Sequence, residues 1–418
     1  MLNVTRLMRL EDGGSGDAGD PAAPRALPAR GTRPPAVVVW NTTRQCNLRC
    51  RHCYAAAAAT AAPDELTTAE GRALIEDLAR SGVASLVLSG GEPLLRRDLV
   101  GLARHAAAAG LHVALSTGGT LLDAPTARAL AAAGVEYVGV SIDGIGRRHD
   151  RVRGVAGGFD GALAGLRHAR DAGLRTGLRF TLTRTTRPDL EPVLDLMEAE
   201  RVDRGYVSHL VYVGRARRLS GEALSRRETR AAVEAVFDRA EAWRRRRLDA
   251  ELVTGNSDAD GVALWLRLRG RDAAAAERVR RCLAARGGNA TGVAIASVDR
   301  RGDVHPDQFW PHASLGSVRE QSFGEIWGDP REPLLAALRD RRRHLRGRCA
   351  GCAHVALCGG GSRVRAEALL GDPWAADPGC HLTDAEIGVT SGRTGDEIEG
   401  DGLRADDAAP RECASAGP

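Results

Sequence analysis

Between residues 37 and 211 the chain repeats one pattern. A short run of β-branched or other apolar residues is followed by an amphipathic stretch at helical spacing, about every 25 residues. This alternation constrains the fold more than any other feature. Strands separated by helices pair in parallel, and each crossover between them is right-handed. Strands are expected at residues 37–40, 85–89, 112–116, 137–141, 175–183 and 206–211. Helices are expected at 67–80, 98–109, 123–133, 159–172 and 190–200. Thr67 with Glu70 fits a capping box, Asp123 fits an N-cap, and Gly134 and Gly173 close their helices. About six such units predict an α/β fold, a partial (β/α)6 barrel, with its chemistry at the C-terminal ends of the strands.

Of 418 residues 43% are hydrophobic and only 4% aromatic, so Ala, Leu and Val must fill most of the core. No apolar run approaches the ~18 residues of a membrane span, and the N-terminus lacks a continuous apolar signal segment. A cytoplasmic protein with no membrane contact is therefore expected. The net charge of +5 is mild for this length and calls for no nucleic acid. All 59 basic residues are arginine. A high-GC codon bias accounts for that total and for the alanine runs, while individual guanidinium forks still suit carboxylates. Five segments are expected: an N-terminal segment and linker (1–36), the barrel (37–220), a charged helical connection (221–285), a small domain held partly by metal (286–388) and a disordered tail (389–418).

Nine cysteines stand at positions 46, 50, 53, 282, 349, 352, 358, 380 and 413. In a reducing compartment such clusters read as metal or iron–sulfur ligands rather than disulfides. Cys46, Cys50 and Cys53 are spaced C-x3-C-x2-C directly after the first strand. Three thiolates on one loop can hold three irons of a [4Fe–4S] cube and leave the fourth open to a ligand. Zinc would need a fourth ligand, and His52, adjacent to Cys53, is badly placed to share the metal. Cys349, Cys352, Cys358 and Cys380 form a second set, able to close a [4Fe–4S] cluster completely, with zinc as the alternative because C-x2-C is also a zinc half-site. Cys282 and Cys413 stand apart and are read as isolated thiols.

The cysteine loop is followed by Gly90-Gly91-Glu92-Pro93 after the second strand, by Ser116-Thr117-Gly118-Gly119-Thr120, and by Ser141-Ile142-Asp143-Gly144. Together these resemble the radical SAM superfamily, and the second cysteine set resembles the C-terminal half of its SPASM domain. The resemblance implies S-adenosylmethionine (SAM) chelated at the open iron and cleaved to a 5′-deoxyadenosyl radical. It implies a second, auxiliary [4Fe–4S] cluster and a reducing electron donor of flavodoxin or ferredoxin type. It places His52, Gly90, Gly91, Glu92, Pro93, Ser116, Ser141, Asp143 and Arg153 around SAM, with Glu92 or a nearby carbonyl accepting the ammonium and Arg153 clamping the carboxylate. Gly118 stands where the family pattern has Asn.

Narrower stretches point within the superfamily. His305-Pro306-Asp307-Gln308-Phe309-Trp310, Gly371-Asp372-Pro373-Trp374 and Ser208-His209 through Arg215 resemble the heme d1 biosynthesis group and its relatives in alternative heme synthesis. That resemblance implies a tetrapyrrole substrate, 12,18-didecarboxysiroheme, and radical removal of its propionate side chains. Arg215, Arg363 and Arg365 are then candidates to bind substrate carboxylates, and His209 to ligate the macrocycle iron or hydrogen-bond to it. His305 is equally open, and the arginine run 339–348 reads as a solvated helix face. The rival readings are a sister enzyme of siroheme-dependent heme synthesis, a peptide-modifying SPASM enzyme, and a non-catalytic iron–sulfur electron carrier. Only 45 residues precede Cys46, which argues against the N-terminal peptide-binding domain of many peptide modifiers.

Overall fold

The computed structural model describes residues 1–9 and 34–389. The expected disordered tail, apart from residue 389, and Cys413 lie outside the described residues. The strands are β1 (Leu2–Asn3), β2 (Val37–Asn41), β3 (Ser85–Ser89), β4 (His112–Thr117), β5 (Val135–Ser141), β6 (Arg175–Leu182), β7 (Arg204–His209), β8 (Glu251–Gly255), β9 (Ile295–Val298), β10 (Asp303–His305) and β11 (Gly316–Ser317). They form one sheet in the order β1-β8-β7-β6-β5-β4-β3-β2-β9-β10-β11. From β2 to β7 every neighbouring pair is parallel, as the alternation of strands and helices requires.

The local signals act as expected. Thr67 and Glu70 form a reciprocal capping box on helix Thr68–Arg80, and the Asp123 side chain caps helix Ala124–Ala132. Trp40 on β2 is fully buried, and a Cβ at Gly71 of the covering helix would stand 2.7 Å from its ring. The glycine is what lets helix and strand approach over this indole. Leu86, Leu88, Val138, Val140, Leu178 and Phe180 continue the same apolar layer beneath the helices.

Two segments differ from expectation. Residues 1–9 were expected in a leading segment. Instead, Leu2↔Thr254 and Asn3↔Val253 pair antiparallel to β8, and helix Val4–Arg9 packs behind them. The Thr5 hydroxyl accepts the Leu252 N–H at 2.6 Å, so the edge of β8 is covered. The connection 221–285 was expected to be helical. It holds helices Arg226–Arg245, Ala259–Arg269 and Ala273–Arg286, but also β8, which continues the parallel run beyond β7. A five-residue strand inside a charged stretch leaves too weak a period to be read locally. On the other side β9 pairs parallel to β2, and β10 and β11 extend it antiparallel. The arginine run is a solvated face only in part: Arg342, Arg343 and Arg346 are exposed. Arg341 is buried and donates to Leu338 O, Asn289 Oδ1 and Thr291 O.

Candidate active site

Alternation along the strands separates two faces. Gly205 of β7 lies against Met197 and Val140 of β5 against Gly119, so these positions face the helices. Their neighbours face inward. There, large polar side chains lie over glycines of adjacent strands. A Cβ at Gly139 would stand 2.4 Å from Arg179 Nε, one at Gly177 1.7 Å from Tyr137 Oη, and one at Gly255 2.1 Å from Tyr206 Oη. Burial pushes the Tyr206 phenol up to about 12.

The first cysteine set sits on the loop leaving β2, at the C-terminal edge. Cys50 is buried, and Cys46 and Cys53 are partly so. The loop is anchored on all sides. Cys46 N–H donates to Ala58 O at 2.8 Å, and Arg49 and Arg51 N–H donate to Arg153 O and Val152 O at 2.9 Å each. Leu48 N–H points at Cys46 Sγ, 3.3 Å away. Burial pushes the Cys46 thiol up to about 11 and raises Cys50 as well, so ionised sulfurs here require a cation, which an iron cluster supplies.

The Gly90–Pro93 turn packs directly on this loop. A Cβ at Gly91 would stand 2.1 Å from Gln45 O, and Gly90 has φ of 132° with Thr43 O only 2.6 Å from its Cβ position. Glu92 is buried and fully committed. Its carboxylate accepts from Thr117 Oγ1 (2.8 Å), Gly118 N–H (2.8 Å) and Leu94 N–H (3.1 Å), although burial raises its pKa. It therefore braces the loops after β3 and β4, with both oxygens already taken by these donors. Gly118 allows the cysteine loop in, since a Cβ there would stand 2.6 Å from Leu48.

At the end of β5, Asp143 lies 2.6 Å from Arg153 Nη2 and 3.2 Å from His52 Nε2. Burial alone would raise Asp143, but Arg153 and His52 outweigh it and hold the carboxyl well below the usual range. Arg153 Nη1 also lies 3.5 Å from Cys50 Sγ, while its Nε has no partner. The expected carboxylate clamp thus has an internal carboxylate already and keeps one donor beside the cysteine loop. Burial, then Arg153, pushes His149 down to about 4, and the neutral ring accepts the Asp143 N–H. Ser141 ends β5 on the inner face, level with Arg179.

Two residues here carried no sequence signal. The Tyr54 hydroxyl donates to Asn41 Oδ1 (2.9 Å) and lies 3.2 Å from Ser89 Oγ, closing the floor under the cysteine loop. Its ring meets Phe309 edge-on at 5.3 Å, which ties the HPDQFW stretch to the barrel. Arg179 Nη1 donates to Ser116 Oγ at 2.5 Å.

Cys349, Cys352, Cys358 and Cys380 line one cavity together with Arg348, Gly360, Gly361 and Asp377. Burial raises all four thiols. Among the described residues no three His, Cys, Asp or Glu side chains converge as a single-ion site. Four thiols around one cavity form a donor set suited to a metal centre. Cys282 is exposed on helix Ala273–Arg286 and does not line this cavity.

The expected substrate residues have partners within the protein. Arg215 donates through Nε to Cys50 O (2.8 Å) and through Nη1 to Ala57 O (2.7 Å), clamping the first cysteine loop. Arg363 is buried and donates to Pro373 O, Ala375 O and Gly360 O. Arg365 makes a two-pronged pair with Asp377 at 2.7 and 2.8 Å. Both arginines brace the second cysteine set. His209 shares the outward parity of Gly205 and Val207. Its Nε2 meets Asp260 at 2.9 Å, and the other carboxylate oxygen meets His381 Nε2 at 3.0 Å, next to Cys380. The two imidazoles outweigh burial and hold Asp260 well below the usual carboxylate range. His209 is thus a tether between β7 and the second cysteine set. His305 Nδ1 contacts Ala313 O at 2.9 Å inside its own segment.

Known proteins agree with this geometry. Residues 40–197 match the model of the radical SAM superfamily. The chain is 48% identical to the pre-heme d1 synthase of Dinoroseobacter shibae over 89% of this chain and 91% of that one. It is 43% identical to the Fe-coproporphyrin III synthase of Methanosarcina barkeri over 84% and 89%. Its fold matches crystalline SuiB of Streptococcus suis with a TM-score of 0.65 at 17% identity, covering 83% of this chain and 76% of that one. With its three-cysteine loop at the strand ends and a SPASM-like C-terminal unit, the chain belongs to the radical SAM superfamily, in the family of these two synthases.

Proposed function

We propose that this radical SAM enzyme acts in heme d1 biosynthesis and removes propionate side chains from 12,18-didecarboxysiroheme. The observation that carries the reading is the 48% identity to a pre-heme d1 synthase across nearly the whole of both chains. As a member of its superfamily the enzyme uses SAM and a [4Fe–4S] cluster, which supply a 5′-deoxyadenosyl radical when bound. In this reading Cys46, Cys50 and Cys53 hold that cluster. Gly90, Gly91 and Pro93 shape the turn beside the SAM ammonium, and His52, Ser116, Ser141 and the free donor of Arg153 surround the rest of the cofactor. Cys349, Cys352, Cys358 and Cys380 hold a second [4Fe–4S] cluster within a small domain over 286–388, behind a barrel over 37–220. The reductant is a flavodoxin- or ferredoxin-type donor. Abstraction of a hydrogen atom from an unactivated propionate carbon lies beyond any acid or base, so a radical is the fitting tool.

The test is anaerobic turnover with SAM, a strong reductant and 12,18-didecarboxysiroheme, following 5′-deoxyadenosine and tetrapyrrole mass together. Substrate-dependent 5′-deoxyadenosine with loss of side-chain mass is the expected result. SAM cleavage over an unchanged tetrapyrrole would overturn the substrate assignment. The 43% identity to an Fe-coproporphyrin III synthase favours one second reading, a sister side-chain reaction in heme synthesis, and product mass separates the two.

A further inference from the structure

We propose that Arg179 is the anchor for a substrate carboxylate inside the barrel. This deepens the tetrapyrrole reading above and rests on it. Arg179 stands mid-strand on β6 and faces inward, half-buried, beside Ser141 of β5 and Tyr206 of β7. Gly139 makes room for its guanidinium, which no other residue type would do, since a Cβ there would stand 2.4 Å from Nε.

Arg179 faces the barrel interior with, among the described residues, no anion beside it and only one hydrogen bond. Inward-facing Arg204 is paired with Glu251 at 2.6 Å, and Arg153 with Asp143 at 2.6 Å. Arg365 has Asp377, while Arg215 and Arg363 have no anion but are held by two or more backbone carbonyls each, with Arg215 Nη2 and Arg363 Nε left over. Among the described residues the contact of Arg179 is the neutral Ser116 hydroxyl, and no Asp or Glu lies within ion-pair distance. A half-buried guanidinium without a carboxylate is costly unless a ligand completes it. Its planar fork fits a carboxylate through two parallel hydrogen bonds, and one nitrogen already held by Ser116 fixes the orientation of the other donors. A didecarboxylated tetrapyrrole keeps several acetate and propionate carboxylates. One of them on Arg179 would fix which edge of the macrocycle enters the barrel.

Two carboxylate sources reach this face, the substrate and the methionyl end of SAM, and the experiment separates them. Arg179→Gln and the charge-keeping Arg179→Lys are compared with the wild type as reconstituted holoenzyme. Affinity for 12,18-didecarboxysiroheme, for its methyl ester and for SAM is measured by absorbance titration and equilibrium dialysis. The expected result is a loss of about 10- to 100-fold in affinity for the free acid in Arg179→Gln, the size of one charge-assisted contact. Partial recovery in Arg179→Lys, little change for the ester, and unchanged affinity for SAM complete that result. Unchanged free-acid binding in Arg179→Gln, or an equal loss for acid and ester, would overturn the proposal. Loss confined to SAM would overturn it too and move the anchor to the cofactor. A wild type that binds no tetrapyrrole would instead overturn the functional reading on which the proposal stands.

Discussion

Single residues at the strand ends decide whether the cysteine loop can exist. Gly91 illustrates this, because the atoms it would displace are backbone carbonyls of Gln45 and Arg44, 2.1 and 2.7 Å from its Cβ position. Gly91→Ala is expected to push the loop out of place, at a cost of about 1–3 kcal/mol. With one cube in each cysteine set, as proposed above, the reconstituted protein should then lose about half its iron. Iron and sulfide analysis would check this, and full iron content would show that the loop tolerates the shift. Glu70 is a milder case. Hydrogen bonds from Arg319 and from Thr67 lower its pKa to about 2 from a usual 4.5. A depressed carboxylate contributes stability that is complete above its unfolded value and is lost as pH falls through its folded one. Its contribution should therefore disappear between about pH 5 and pH 2. Being nearly exposed, it should amount to less than ~1 kcal/mol. Denaturant midpoints of wild type and Glu70→Gln should converge at the acid end of that window.

At the scale of elements, the edges of the sheet hold more information than its middle. Strands β2 to β7 follow from period and crossover rule alone, whereas β8 needs β1 and the helix behind it to cover its edge. Thr5 is the polar part of that cover. Thr5→Val keeps the shape but leaves the buried Leu252 N–H without its 2.6 Å acceptor. The expected loss is about 1–3 kcal/mol in chemical denaturation, with SAM binding unchanged because the site lies at other strand ends. The C-terminal elements are short by comparison. Helices Gly347–Gly351 and Val355–Cys358 span only one turn each; Arg348 ties the first to Asp384 and Leu382 O, and Arg342 donates to Ala356 O of the second.

Across the whole molecule the barrel is joined to the C-terminal segment by Tyr54 against Phe309, by Arg365 on Leu210 O, and by the buried chain His209–Asp260–His381 ending beside Cys380. Asp260→Ala would leave two buried imidazoles facing no anion. The expected cost is about 3–5 kcal/mol, with faster loss of iron from the proposed second cluster than from the first. Following iron release at increasing temperature would test the order, and equal release of both clusters would show that the tether does not support the cluster.

Some features could be read directly from the order of residues. The strand–helix alternation, the Thr67 and Asp123 caps, and the spacing of Cys46, Cys50 and Cys53 are set within a few neighbouring positions, so they survive without knowledge of the rest of the chain. The partners of polar side chains are not set that way. Arg215 reaches Cys50 O across 165 positions, and Arg365 reaches Leu210 O across 155. Read in order, both are merely arginines in suggestive stretches; in space, both are bracing. Parity matters as much. Ser208 and His209 are neighbours in the chain, yet the pleat turns one into the barrel and the other toward Asp260. Arg179 passes unnoticed among 59 arginines, because only the folded barrel brings every nearby carboxylate to another partner.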